Sequence, residues 1–168
     1  DRDTSAPSAG FNMSVCIASE PQTIDPALNS AVDGAIMTQH VFEGLMKWSD
    51  SGEAVEGAQG ANLAELVPGQ AETYDKVVND DGTVTYTFHL RDGIKWSDGQ
   101  PVTAGDFVYA WQRLATPATA ADYCYMIDMV KGYDLVNTGT PTGQFETKVN
   151  ADTGEEEQVE IMDHADPT

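Results

Sequence analysis

The side chains able to do chemistry in this sequence are three histidines (His40, His89, His164), two cysteines (Cys16, Cys124) and a large set of carboxylates. A zinc site needs ligands at helical or loop spacing, and none of the histidines has a second His or Cys at such a distance. There is no Cys-x-x-Cys pair, no Gly-x-Ser-x-Gly elbow, no phosphate-cradling Gly-x-x-x-x-Gly-Lys-Ser/Thr loop and no dinucleotide fingerprint. Cys16 and Cys124 are too far apart for a redox or metal motif and are read as buried thiols. With 28 acidic residues a hydrolytic carboxylate pair can be drawn anywhere, so their abundance points to no particular dyad. In Asn150-Ala151-Asp152-Thr153-Gly154 the glycine comes one position early for a calcium loop, and Ile161 stands where the bidentate acid belongs; a polar turn is expected. These residues carry no recognisable catalytic constellation, and no metal or cofactor is expected.

Charge narrows the partners. The 168 residues carry 28 Asp+Glu against 8 Lys+Arg, a net charge of −20. Residues 1–60 contribute −7, residues 61–120 −4 and residues 121–168 −9. So negative a surface repels phosphate and has few cations with which to release counterions, which excludes nucleic acid and argues against an anionic membrane surface. The length suits one domain, and 40% apolar residues can build a core. No apolar run approaches the roughly 18–20 residues of a membrane span.

Elements that position side chains can be read along the chain. Residues 1–10 are a small, polar tether of the kind left after a leader is removed or introduced by expression. Phe11, Met13, Val15 and Ile17 alternate with smaller or polar residues and predict a strand. Asp33 is expected to cap a helix through Ile36, Met37, His40 and Val41 that Gly44 ends. Residues 45–48 suggest a short strand, and residues 49–70 a loop with one helical turn near 62–66. Residues 74–78 and 83–90 flank Asn79-Asp80-Asp81-Gly82 and predict a hairpin, with Val84, Tyr86, Phe88 and Leu90 on one face. Thr103-Ala104-Gly105-Asp106 has capping-box form and should start a helix that stops before Pro117. A second helix is expected over about 120–136, weakened by Gly132. The organisation is then a tether (1–10), a mixed α/β segment with a small mixed sheet, a hairpin and flanking helices (11–138), and an acidic loop or hairpin (139–168).

Three stretches resemble a known family: Ser19-Glu20-Pro21-Gln22-Thr23-Ile24-Asp25-Pro26, then Val41-Phe42-Glu43-Gly44-Leu45, then the tract from Tyr86-Thr87-Phe88-His89-Leu90-Arg91-Asp92-Gly93-Ile94-Lys95-Trp96-Ser97-Asp98-Gly99 through Thr103-Ala104-Gly105-Asp106 to Trp111-Gln112-Arg113-Leu114. In order and spacing they are similar to the extracellular solute-binding proteins of family 5, the oligopeptide- and dipeptide-binding components of ABC importers. The resemblance runs over about residues 11–136. It implies the N-terminal part of a type II periplasmic-binding-protein fold in which two lobes close on a ligand. Because family members are roughly 500 residues long, well beyond one ordinary domain, it also implies that this chain is an N-terminal fragment.

The resemblance further implies capture of a peptide or other small solute outside the cell, in a periplasm or on a lipid anchor. The ligand would pass to an ABC permease in the membrane, the protein acting as a monomer and without catalysis. Aligning Ile24-Asp25-Pro26 with Val41-Phe42-Glu43-Gly44 places Ser30 and Val32 on the cleft; where oligopeptide binders carry a Glu against the peptide, this chain has Ser30. Tyr123 matches a cleft tyrosine, with plain packing as the alternative. Nickel chelates, haem, sugars or a sensing role remain open variants of cargo. An acidic hydrolase domain and a surface interaction module are the readings from other classes.

Overall fold

The computed structural model describes residues 14, 16–17, 19–57, 61–151 and 153–165. In chain order the elements are α1 (Val32–Val41), β1 (Met46–Ala54), β2 (Asn62–Pro68), β3 (Ala71–Val78), β4 (Val84–Leu90), α2 (Ala104–Ala115), 3-10 turns at Pro117–Thr119 and Cys124–Ile127, α3 (Tyr133–Asn137), β5 (Thr140–Val149) and β6 (Glu156–Asp163). The tether at 1–10 and most of the strand predicted over 11–17 fall outside the described residues. Cys16, read as buried, is exposed, its Sγ meeting the neighbouring Ile17 carbonyl; Cys124 is half-buried, and both are free thiols.

The expected small mixed sheet is replaced by three separate antiparallel pairs, β1-β2, β3-β4 and β5-β6. Each strand pairs with its sequence neighbour, and α2 and α3 separate β4 from β5 without a crossover that would bring them parallel. The β3-β4 hairpin follows local chemistry. Gly82 takes the left-handed conformation (φ 83°) that lets the chain reverse, and Asp81 accepts hydrogen bonds from the amide and hydroxyl of Thr83. Register Tyr74↔Phe88 and Lys76↔Tyr86 collects Tyr74, Tyr86 and Phe88 on one face, with ring centroids 5.8–6.4 Å apart. His89 pairs with Asp75 at 2.8 Å on the opposite face.

Three expectations need correction. Residues 62–68 form strand β2, not a helical turn: Ala, Leu and Glu favour helix locally, but pairing Trp48↔Leu66 and Asp50↔Ala64 with β1 prevails. The helix expected over 120–136 is broken into 3-10 turns and the five-residue α3, because Ala120 (φ 50°) and Gly132 (φ 92°) hold left-handed backbone that an α-helix cannot accept. The cap of α1 is Ala31; Asp33 lies in the first turn, where it accepts from the Ser19 hydroxyl and the Gly34 amide, and the helix ends at Val41 as Phe42 turns extended.

Helix α2 starts as its sequence asks. The Thr103 amide donates to Asp106 Oδ2 at 2.7 Å and its hydroxyl to the same oxygen at 3.0 Å, while the Asp106 amide donates back to the Thr103 carbonyl at 3.1 Å, closing the first turn on the pair of residues that a capping box uses. The Trp96 side chain adds a hydrogen bond to the same carboxylate, so these bonds hold Asp106 below the usual carboxylate range. The signature turn Trp96-Ser97-Asp98-Gly99 is thus tied to the helix it feeds. Asp106→Ala should unwind the first turn and lower the thermal midpoint by a few degrees, whereas Asp106→Glu should recover most of the loss in the same circular-dichroism melt.

Burial is sparse. Among the described residues the buried apolar side chains are Ala71, Ala115, Ala121 and Tyr133. The exposed area is 13465 Å², against roughly 8,000 Å² for a compact monomer of this mass. Trp48, Tyr86 and Phe145 are among the large apolar side chains left at the surface. Two-stranded sheets of this kind are marginal unless a face is covered. Between β5 and β6 the Gly154 amide donates to the Asn150 carbonyl and the Thr153 amide to the Asn150 side chain.

Candidate functional site

The site begins with a carboxylate that organises its own backbone. Thr23 Oγ1 accepts from the Asp25 amide, Asp25 Oδ1 accepts from the Ala27 amide at 3.1 Å, and the Asp25 carbonyl accepts from Leu28 and Asn29. Pro26 fits this turn because its missing N–H is not needed there. Asn29 then donates to the Ala31 carbonyl, and α1 starts. Gly34 packs so closely on the Asn29 side chain and the Thr23 carbonyl that a Cβ would overlap both. The turn therefore presents Ser30 and Val32 outward: both are exposed, Val32 at 78%.

What ties this turn to the rest of the protein is Arg113, in the last turn of α2. Its Nη1 donates to Asp25 Oδ1 at 2.7 Å and Nη2 to Oδ2 at 2.6 Å, a two-pronged pairing across 88 positions in which both side chains are half-buried. Arg113 holds the Asp25 carboxyl below its usual range, against a smaller opposing push from burial. The sign for stability follows. A depressed folded-state value means the contribution is fully present above the unfolded Asp value of about 3.9 and is lost as pH falls below it. The parent protein is therefore expected to lose more stability than Asp25→Asn between about pH 5 and pH 3. Urea titrations of both at the two pH values measure the difference; parallel losses would remove the pair from the account.

Tyr123 stands elsewhere. It precedes the Cys124–Ile127 turn, is 46% exposed, and its ring meets Tyr125 edge-on at 5.9 Å. Tyr133 is buried, and the Cys124 side chain together with burial pushes its phenol up to about 12. Of the three residues expected from the sequence to rim a cleft, Ser30 and Val32 lie together at the start of α1 and Tyr123 lies before the Cys124–Ile127 turn, with no hydrogen bond or ring contact joining the two places among the described residues. An apolar groove of about 320 Å³, lined by Trp111, Ile127, Val130, Leu135 and Val136 among others, lies between α2 and α3 and includes none of the three. Ser30 is exposed, and its hydroxyl makes no hydrogen bond among the described residues.

The Asp25–Arg113 pair is the feature that reading the sequence misses. Asp25 and Arg113 sit in separate motifs, and no spacing rule joins residues so far apart. Every carboxylate with a resolved shift (Asp25, Asp33, Asp50, Asp81, Asp106) is lowered, whereas an acid for hydrolysis must be raised. Among the described residues no three His, Cys, Asp or Glu side chains converge as metal ligands, and no helix is long and apolar enough to cross a membrane.

Comparison with known proteins gives the family of the chain. Residues 65–162 match the family described as bacterial extracellular solute-binding proteins, family 5 Middle. The oligopeptide-binding protein OppA of Bacillus subtilis is 38% identical over 128 residues, 76% of this chain and 21% of that protein. The probable deoxycholate-binding periplasmic protein YgiS of Escherichia coli is 41% identical over 105 residues, 62% of this chain and 17% of that protein. The crystal structure of Haemophilus influenzae OppA in complex with RPPGFSPFR superposes with a TM-score of 0.56 at 39% identity, over 69% of this chain and 20% of that one. The chain thus spans about a fifth of the length of these relatives. Its fold of small sheets and helices is that of the N-terminal lobe of type II periplasmic binding proteins. The chain belongs to the bacterial extracellular solute-binding proteins of family 5.

Proposed function

We propose that this chain forms part of the solute-capturing lobe of an ABC importer's binding component, taking peptides outside the cell and delivering them to a membrane permease. The observation that carries this reading is the 39% identity and TM-score of 0.56 to a family member solved with a nine-residue peptide. A further feature supports it. Exposed apolar faces on each hairpin suit a segment that packs within a larger lobe. Ser30, Val32 and Tyr123 are the residues offered to ligand: a hydroxyl, an aliphatic surface and an aromatic edge. Extended peptides held by main-chain hydrogen bonds need little more than such roomy, hydrated surroundings for their side chains. The protein works as a monomer, in a periplasm or anchored on the outer face of the membrane.

A second reading keeps the fold and changes the cargo. Ser30 offers no negative charge to a peptide, and the similarity to a probable deoxycholate-binding protein favours weighing an apolar solute. Extraction of the ligand carried by a protein of full family length containing this segment, followed by mass spectrometry, separates the two. Peptides are the expected result; a sterol-like acid or a metal chelate would replace the peptide reading.

A further inference from the structure

Residues 19–42 form a block whose hydrogen bonds, among the described residues, stay inside the block except at one place. Ser19 bonds Asp33, Thr23 bonds Asp25, Asp25 bonds Ala27, Leu28 and Asn29, and His40 bonds Ile36. The exception is Arg113. The same end of α2 also carries the second rim. Thr116 bonds back to Gln112 through both its amide and its hydroxyl (2.7 Å), Asn137 of α3 donates to the Ala115 carbonyl at 2.8 Å, and the Pro117–Thr119 and Cys124–Ile127 turns leading to Tyr123 follow directly.

We infer that the C-terminal turn of α2 is a common mount for both rims of the ligand site, with Asp25 and Arg113 as positioning residues that set the Ser30–Val32 rim against Tyr123. The inference rests on the proposed ligand role of those rims. Arg113 is suited to the task because its planar fork fixes both oxygens of Asp25, and so the orientation of the turn as well as its distance. A lysine would keep the charge and lose the fork. Neither Asp25 nor Arg113 needs to touch ligand.

Amide hydrogen exchange on the intact chain tests the mount without a ligand. In Asp25→Asn and Arg113→Gln, exchange should rise about tenfold across residues 25–35 and stay within about twofold of the parent across 84–90 and 104–112. Arg113→Lys should fall between. A uniform rise over all segments would make the pair an ordinary stabilising contact and overturn the inference, as would no rise at 25–35. In a second arm, the nonapeptide RPPGFSPFR is bound to a protein of full family length that contains this segment. The same variants should release it about tenfold faster with little change in association rate. If exchange responds as expected in the first arm but the parent protein does not bind the nonapeptide, the peptide reading falls and the mount stands. If the parent binds and the variants release at the parent's rate, the positioning role falls.

Discussion

Tyr133→Ala is expected to cost about 3–5 kcal/mol of stability, the range for emptying a buried aromatic site. Tyr133 is 8% exposed, and the other buried apolar residues among those described are alanines, so no neighbouring core of large side chains can collapse into the space. Tyr133 lines the groove between α2, α3 and Ile127. For a chain of this size the loss corresponds to a fall in thermal midpoint of roughly 10 °C. Tyr133→Phe keeps the ring and should cost no more than about 1 kcal/mol. Circular-dichroism melts of the two variants should therefore separate widely. Equal, small losses would mean that the ring is not a packing centre.

Gly69→Ala should follow with a loss of about 2–3 kcal/mol, the cost of overpacking where the surroundings cannot yield. Gly69 forms the corner between β2 and β3, where its amide and that of Ala71 both donate to the Leu45 carbonyl at 3.0 Å, and Gln70 donates to Gly44 at 2.9 Å. A Cβ there would overlap the Gly44 carbonyl oxygen and come within 3.0 Å of Leu45 O, both of them backbone atoms. Relief requires the strand entry to move, which breaks the corner bonds. Gly105→Ala is the matched control. In the first turn of α2 the added methyl meets only the Thr103 hydroxyl at 3.4 Å, so gained helix propensity should leave stability equal or higher. A neutral Gly69→Ala would mean that the corner is looser than the geometry states.

Local chemistry made part of this fold legible. The β3-β4 hairpin follows from Asp81-Gly82 between two strand-forming runs, and α2 follows from Thr103 and Asp106, because in each case all the partners lie within a few residues. Residues 62–68 were unreadable for the opposite reason. Their strand exists only by pairing with β1 across a loop, and their own composition argues for helix. The break of the expected 120–136 helix depends on the backbone at Ala120, a residue whose type favours helix; only Gly132 gave warning. Ser30, Val32 and Tyr123 came from family resemblance rather than from any pattern of their own. The Asp25–Arg113 pair that organises them joins motifs 88 residues apart. The charge behaves similarly. The acidic excess of residues 121–168 has a definite seat in the β5-β6 hairpin, with Glu156, Glu157 and Glu160 along one exposed strand.

The central claim is that this fold captures peptide without chemistry. Isothermal titration of a full-family-length protein containing this segment with RPPGFSPFR, followed by mass analysis of the recovered ligand, tests it most directly. The account predicts saturable heat at micromolar or tighter affinity, with the nonapeptide recovered intact. Recovery of cleaved fragments, or no binding of any peptide under conditions where the protein is folded, would contradict it.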